Sequence, residues 1–189
     1  MKPASELLAG LLKDATEKYG LIIEKKADKW YWRTLGVLVS LLTFGKVDFM
    51  HRFFSTIVNR IGVPPRWDTM PPEAKYEILL HEVEHMKQYT AVGFGNIWIG
   101  TIIAGIGYLF LPLPVGFAWV RAKMEMGGYA QSIRAKIQVY GLAEAIAAKP
   151  GIIAHFTSID YLFMWPFKRH LSRWYDETVA RIAIEEGAQ

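Results

Sequence analysis

Residues 81 to 85 of this chain read HEVEH, which sets two of its five histidines four positions apart with a carboxylate directly after the first. On a helix, positions i and i+4 share one face about a turn apart, so His81 and His85 can aim their imidazoles at one point. Glu82 then lies about 100° round the helix from His81, where it can reach a water on a shared ion without being a ligand itself. Zinc suits this arrangement. It lowers the pKa of its water to near 7, so a carboxylate beside it can take the proton as a carbonyl is attacked and return it to the leaving amine. Amide hydrolysis is the expected chemistry. The bland alternative is a histidine pair on a surface or in a core. Against it, Tyr76, Leu79, Leu80, Val83 and Met86 fill the other side of the helix, so it should pack on a core and open its histidine face to a cleft.

A catalytic zinc needs a third protein ligand, and with no cysteine in the chain it must be His, Glu or Asp. The extended pattern HExxHxxGxxH is excluded, because Gln88 stands at the glycine position and Ala91 at the last histidine. Glu125, in RAKMEMGGYAQSIRA, is the only glutamate between Glu84 and Glu144. Its competing role is an ion pair with Arg121 one turn earlier. Gly127 and Gly128 each cost about 1 kcal/mol in a helix interior relative to alanine, unless a close approach requires them. Tight packing of this helix on the HEVEH helix is such a requirement.

The elements that must position these groups follow from periodicity. Residues 5 to 26 read as an amphipathic helix. Residues 30 to 63, rich in β-branched and aromatic types and broken at Gly45 and Gly62, read as two or three short strands, with 34 to 43 as a helical alternative. VPPRWDTMPPE is a proline-punctuated loop that starts a helix over about 72 to 90. No charged residue occurs from Gln88 to Val120, and LPLP at 111 to 114 splits that run into helices over 97 to 110 and from about 115 to 140. A last amphipathic helix starts at Pro166 and stops at Gly187. The expected fold class is α+β, mostly α-helical. A single domain spans 1 to 189, with a small antiparallel sheet before the metal helix and an apolar helical hairpin leading to the glutamate helix.

Composition narrows the partners. Of the 189 residues, 52% are hydrophobic and 14% aromatic, so part of the apolar surface should meet a groove, a partner or a membrane. A net charge of +4 without a continuous basic stripe argues against nucleic acid. The N-terminal residues lack a signal peptide's apolar core and cleavage site, so a cytoplasmic protein is expected. Residues 97 to 120 are a candidate membrane-surface contact; each half of the split run is too short to span a bilayer. A di-iron carboxylate bundle would need a second E-x-x-H pair, and Asp48 with His51 is the nearest approach.

HEVEH followed some forty residues later by a glutamate in RAKMEMGGYA resembles the gluzincin zinc metallopeptidases, most closely their small single-domain members, the minigluzincins. The likeness covers about residues 48 to 132. It implies a zincin-like fold, one zinc held by His81, His85 and Glu125, Glu82 as general base, and a peptide or protein substrate. It also implies an edge strand, here Phe53 to Val58, that aligns an extended peptide. A Tyr or His that stabilises the oxyanion is implied further downstream, with His155 and Tyr161 as candidates and Tyr129 behind them. His51 and His170 read as structural or solvent-facing, and Trp67, Trp98 and Phe94 as an apolar subsite or core packing. The expectation is therefore a zinc-dependent peptidase. The alternative is a membrane-associated or non-catalytic zinc-binding protein that keeps the motif.

Overall fold

The computed structural model describes residues 2–109, 117–158, 165 and 167–188. The helix start expected at Pro166, the LPLP break and Tyr161 lie outside the described residues. The chain is mostly helical, with a small three-stranded sheet near its N-terminal end.

Helix α1 (Ala4–Tyr19) stops earlier than the periodicity suggests. Gly20 takes a left-handed conformation with φ of 65°; its N–H donates to Thr16 O at 2.9 Å and that of Leu21 to Ala15 O at 3.4 Å. The Gly20 bond is that of an αL stop, and glycine adopts its left-handed conformation without a Cβ penalty. The chain leaves extended as β1 (Ile22–Lys25), so the single helix expected over 5 to 26 is in fact a helix and a strand.

The stretch expected as strands instead begins with helix α2 (Trp30–Leu42), the helical alternative extended by several residues. Packing overrides its β-prone composition. Trp32 is fully buried and its Nε1 donates to Glu24 Oε1 at 2.8 Å; four positions on, a Cβ at Gly36 would meet Met50 Sδ at 2.8 Å. A short helix α3 (Phe49–Arg52) leads into β2 (Ser55–Ile57) and β3 (Arg60–Val63). Strand order is β1-β3-β2: β2 runs antiparallel to β3, with Thr56 opposite Ile61, but β1 runs parallel to it, with Ile23 opposite Ile61. The sheet is mixed, not antiparallel as expected. Parallel neighbours need a long crossover, which α2, α3 and β2 supply. Gly62 leaves room for Trp32, whose ring would lie 2.6 Å from a Cβ there.

Pro72 opens α4 (Pro72–Val92), with Glu73 in its first turn. Then come α5 (Ile97–Leu109), α6 (Phe117–Tyr140, stopped by Gly141 at φ 90°), α7 (Leu142–Ala147), α8 (Lys149–Thr157) and α9 (Lys168–Glu186). Two cores form. Ala15, Ile61, Val63, Leu79 and Met86 join α1, the sheet and α4; Ile133, Phe156, Leu171, Tyr175 and Ile182 join α6 to α8 and α9. Each such large side chain contributes about 1.5–3 kcal/mol of burial. Helix α4 thus has one side in the first core and the other against α6.

Candidate metal centre

Helices α4 and α6 run antiparallel, since contacts that climb one descend the other: Tyr76 with Gln138, Glu77 with Lys136, His81 with Ser132 and Gln88 with Met124. That pairing brings Glu125 to the histidines. His81 Nε2 lies 3.4 Å and His85 Nε2 4.0 Å from Glu125 Oε2, and one ligand atom from each of the three residues falls within 4.8 Å of the others. Three ligands around one tetrahedral ion at about 2.0–2.1 Å stand about 3.3–3.5 Å apart. The two imidazoles and one carboxylate therefore lie close enough to hold a metal ion once they draw together.

The ring orientations are set by bonds on the far nitrogens. His85 Nδ1 lies 3.0 Å from Gln88 Oε1, while Gln88 Nε2 donates to Met124 O at 3.0 Å. With the amide fixed that way its oxygen can only accept, so it takes a hydrogen bond from His85 Nδ1–H, and Nε2 is left as the nitrogen that faces Glu125 and would ligate a metal. His81 Nδ1 lies 3.3 Å from Ser132 Oγ. The glycines expected to permit a close approach do so: a Cβ at Gly128 would stand 2.5 Å from His81 Nε2, and one at Gly127 2.3 Å from Gln88 Nε2.

Electrostatics match this geometry. Burial disfavours a charged Glu125, but the His81 hydrogen bond and the charges of His85, His81 and Arg121 outweigh it and hold the carboxyl down at about 2. Burial likewise opposes protonation of His81, yet the Glu125 hydrogen bond and the charges of Glu125, Glu82 and Glu77 raise its pKa. Glu125 thus answers chiefly to the histidines and not to Arg121 alone. A metal held by His81 would require that imidazole without its Nε2 proton, so binding would compete with protonation.

Glu82 is buried beside the cluster, and its Oε2 accepts from Thr56 Oγ1 at 2.7 Å. Thr56 lies on β2, which forms an edge of the sheet; the expected strand over Phe53 to Val58 is shorter, at Ser55–Ile57. A cleft of about 280 Å³ opens here, lined among others by Phe53, Phe54, His81, Glu82, Tyr129 and His155. The Tyr129 ring meets that of His81 edge-on at 4.9 Å and stacks on that of His155 at 5.7 Å. Of the oxyanion candidates, His155 and Tyr129 thus reach the cleft. The expected apolar subsite is otherwise composed: Phe53 and Phe54 line the cleft, whereas Phe94 and Trp98 are solvent-exposed and Trp67 packs on Phe54. His51 pairs with Asp48 at 2.9 Å, largely in solvent, and His170 accepts from Trp165 Nε1.

Behind β2 lies a group that sequence reasoning missed. Lys26 is fully buried, with Nζ donating at 3.0 Å to Phe49 O, Phe53 O and Ser55 Oγ. Burial depresses its pKa to about 7 against the opposing charge of Glu82. Thr56, Gln88 and Ser132 were also missed. Only Gln88, one turn after His85, carries a local signal.

No family model, curated protein or solved structure matches the chain. Among the described residues no single helix is both long and apolar enough to cross a membrane; α4 and α5 are so only as a pair, and that pair is bent by 98°.

Proposed function

We propose that this chain is a zinc-dependent peptidase of the gluzincin kind. The observation that carries the reading is the position of Glu82: it stands outside the His81, His85 and Glu125 set, yet lines the same cleft as His81 and is anchored by Thr56 of an edge strand. Two imidazoles and one carboxylate, without sulfur, are the donors that would suit a catalytic zinc. Zinc held there would supply an acidified water and polarise a carbonyl.

The chain's own residues do the rest. The outer edge of β2, where Thr56 O accepts from Tyr89 at 3.3 Å, is where an extended peptide would add by backbone hydrogen bonds in exchange for that contact, and Phe53 and Phe54 give it an apolar wall. Glu82 takes a proton on its carboxylate and delivers it to the leaving amine, while Thr56 keeps that carboxylate turned toward the cleft. His155, which lines the cleft and stacks on Tyr129, donates toward the carbonyl oxygen as charge develops.

Metal analysis of the purified protein should find near one zinc per chain, lost in His81→Ala. Glu82→Gln should keep the zinc and lower peptide hydrolysis by about 10²–10⁴-fold. Zinc retained with undiminished hydrolysis in Glu82→Gln removes the mechanism. Zinc bound without any hydrolysis leaves a binding protein.

A further inference from the structure

Helix α5 turns its apolar side the wrong way for a soluble core. Gly100 and Ala104 face the body of the protein, and a Cβ at Gly100 would meet Tyr89 O at 1.7 Å, so α5 lies on α4 backbone to backbone. Trp98, Ile99, Ile102, Ile103 and Ile106 are exposed, Ile102 by 64%. At 100° per residue these five fall within one arc of about 140°, a continuous ridge and not scattered side chains. Phe94, 95% exposed in the turn before α5, extends the ridge at one end. At the other, Trp119 and Val120 are exposed at the start of α6, which packs on α5.

Charge distinguishes what covers this face. Of the chain's 22 basic and 18 acidic residues, three basic and no acidic ones fall between His85 and Met124: Lys87, Arg121 and Lys123. The rest of the chain is nearly balanced. A second protein copy would need no exclusion of acids over some forty residues, whereas an anionic surface does. Lys123 Nζ stands 5.8 Å over the Trp119 ring, an indole and an ammonium together as at a headgroup boundary. Helix α5, with 13 residues, is about 20 Å long and too short to cross the hydrocarbon, but it can lie along its edge.

We propose that the outer face of α5, with Phe94 and the start of α6, docks the protein on an anionic phospholipid bilayer, α5 lying in the plane of the interface. This stands independently of the peptidase reading. The test is flotation of the full chain with vesicles of phosphatidylcholine and of phosphatidylcholine mixed with phosphatidylglycerol. The protein should float with the mixed vesicles and more weakly with the neutral ones. Ile102→Glu with Ile106→Glu should lower partitioning on both by about tenfold or more, and Lys87→Glu with Lys123→Glu on the mixed vesicles alone. Should the first pair lose the wild-type circular dichroism spectrum, Trp98→Ser with Ile102→Ser serves in its place. Protein that stays in bulk with both vesicles overturns the proposal, as does flotation unaffected by the face variants. A dimer broken by the same variants without vesicle binding assigns the face to a second copy instead.

Discussion

Helix α4 is approached through glycines on two sides, and the two contacts are opposite in kind. Against α6, the space above Gly127 and Gly128 is filled by the ends of polar side chains, Gln88 and His81. Against α5, the space above Gly100 is filled by the α4 backbone at Tyr89 O. A helix drawn close over side chains encloses buried polar groups, each of which must find a partner, as His81, His85 and Gln88 do. A helix drawn close over backbone leaves nothing polar inside, and its large apolar residues turn outward. One contact makes a site and the other a surface.

The sharpest way to break this comparison is Gly128→Ala. The methyl falls on the imidazole of a ligand, so metal affinity should drop by about 10–100-fold, read by competition with a chromophoric chelator. Unchanged affinity would mean that His81 has room to move and that the α6 glycines do not shape the centre. Next in size, Gly100→Ala meets backbone, which cannot rotate away; it should cost about 1–3 kcal/mol in chemical denaturation while affinity for added metal stays at the wild-type value. Loss of metal in that variant would show the two contacts to be one unit.

A pH slope, small at any one pH near neutrality, tests how far the polar half extends behind β2. With Lys26 at about 7 when folded and near its ordinary 10.5 when unfolded, the unfolded chain holds the extra proton between those values. Stability from this group therefore rises from pH 7 toward 10.5, by up to about 1.4 kcal/mol per pH unit, and falls as pH drops back to 7. Lys26→Met should flatten that slope in denaturation curves taken across the range. A slope that persists would assign it to other groups.

How much of this was legible in the residues depends on the range of the interaction. HEVEH with its hydrophobic backing announced a helix and two convergent imidazoles, because both signals lie within one or two turns. Glu125 could be put forward as the only glutamate between Glu84 and Glu144, with an Arg121 ion pair as its rival role, and the cost of two mid-helix glycines hinted at the close approach the structure shows. The sheet was misread for a complementary reason. Residues 30 to 42 have the composition of strands, and they are helical because Trp32 enters the gap over Gly62 while Gly36 admits Met50, contacts 14 to 30 positions apart in sequence.

The sequence alone determined the ligand chemistry and the direction of apolar excess: no sulfur, two histidines on one face, one nearby acid, and a long run without charge. Tertiary structure alone decided that Thr56 holds Glu82, that Gln88 accepts from His85 Nδ1–H, that Lys26 lies buried behind the edge strand, and that α5 shows its isoleucines to the outside. The division is physical. Helical spacing is written in neighbouring residues, whereas the partner of a buried polar group and the side a helix buries depend on which distant backbone comes near enough to leave it no water.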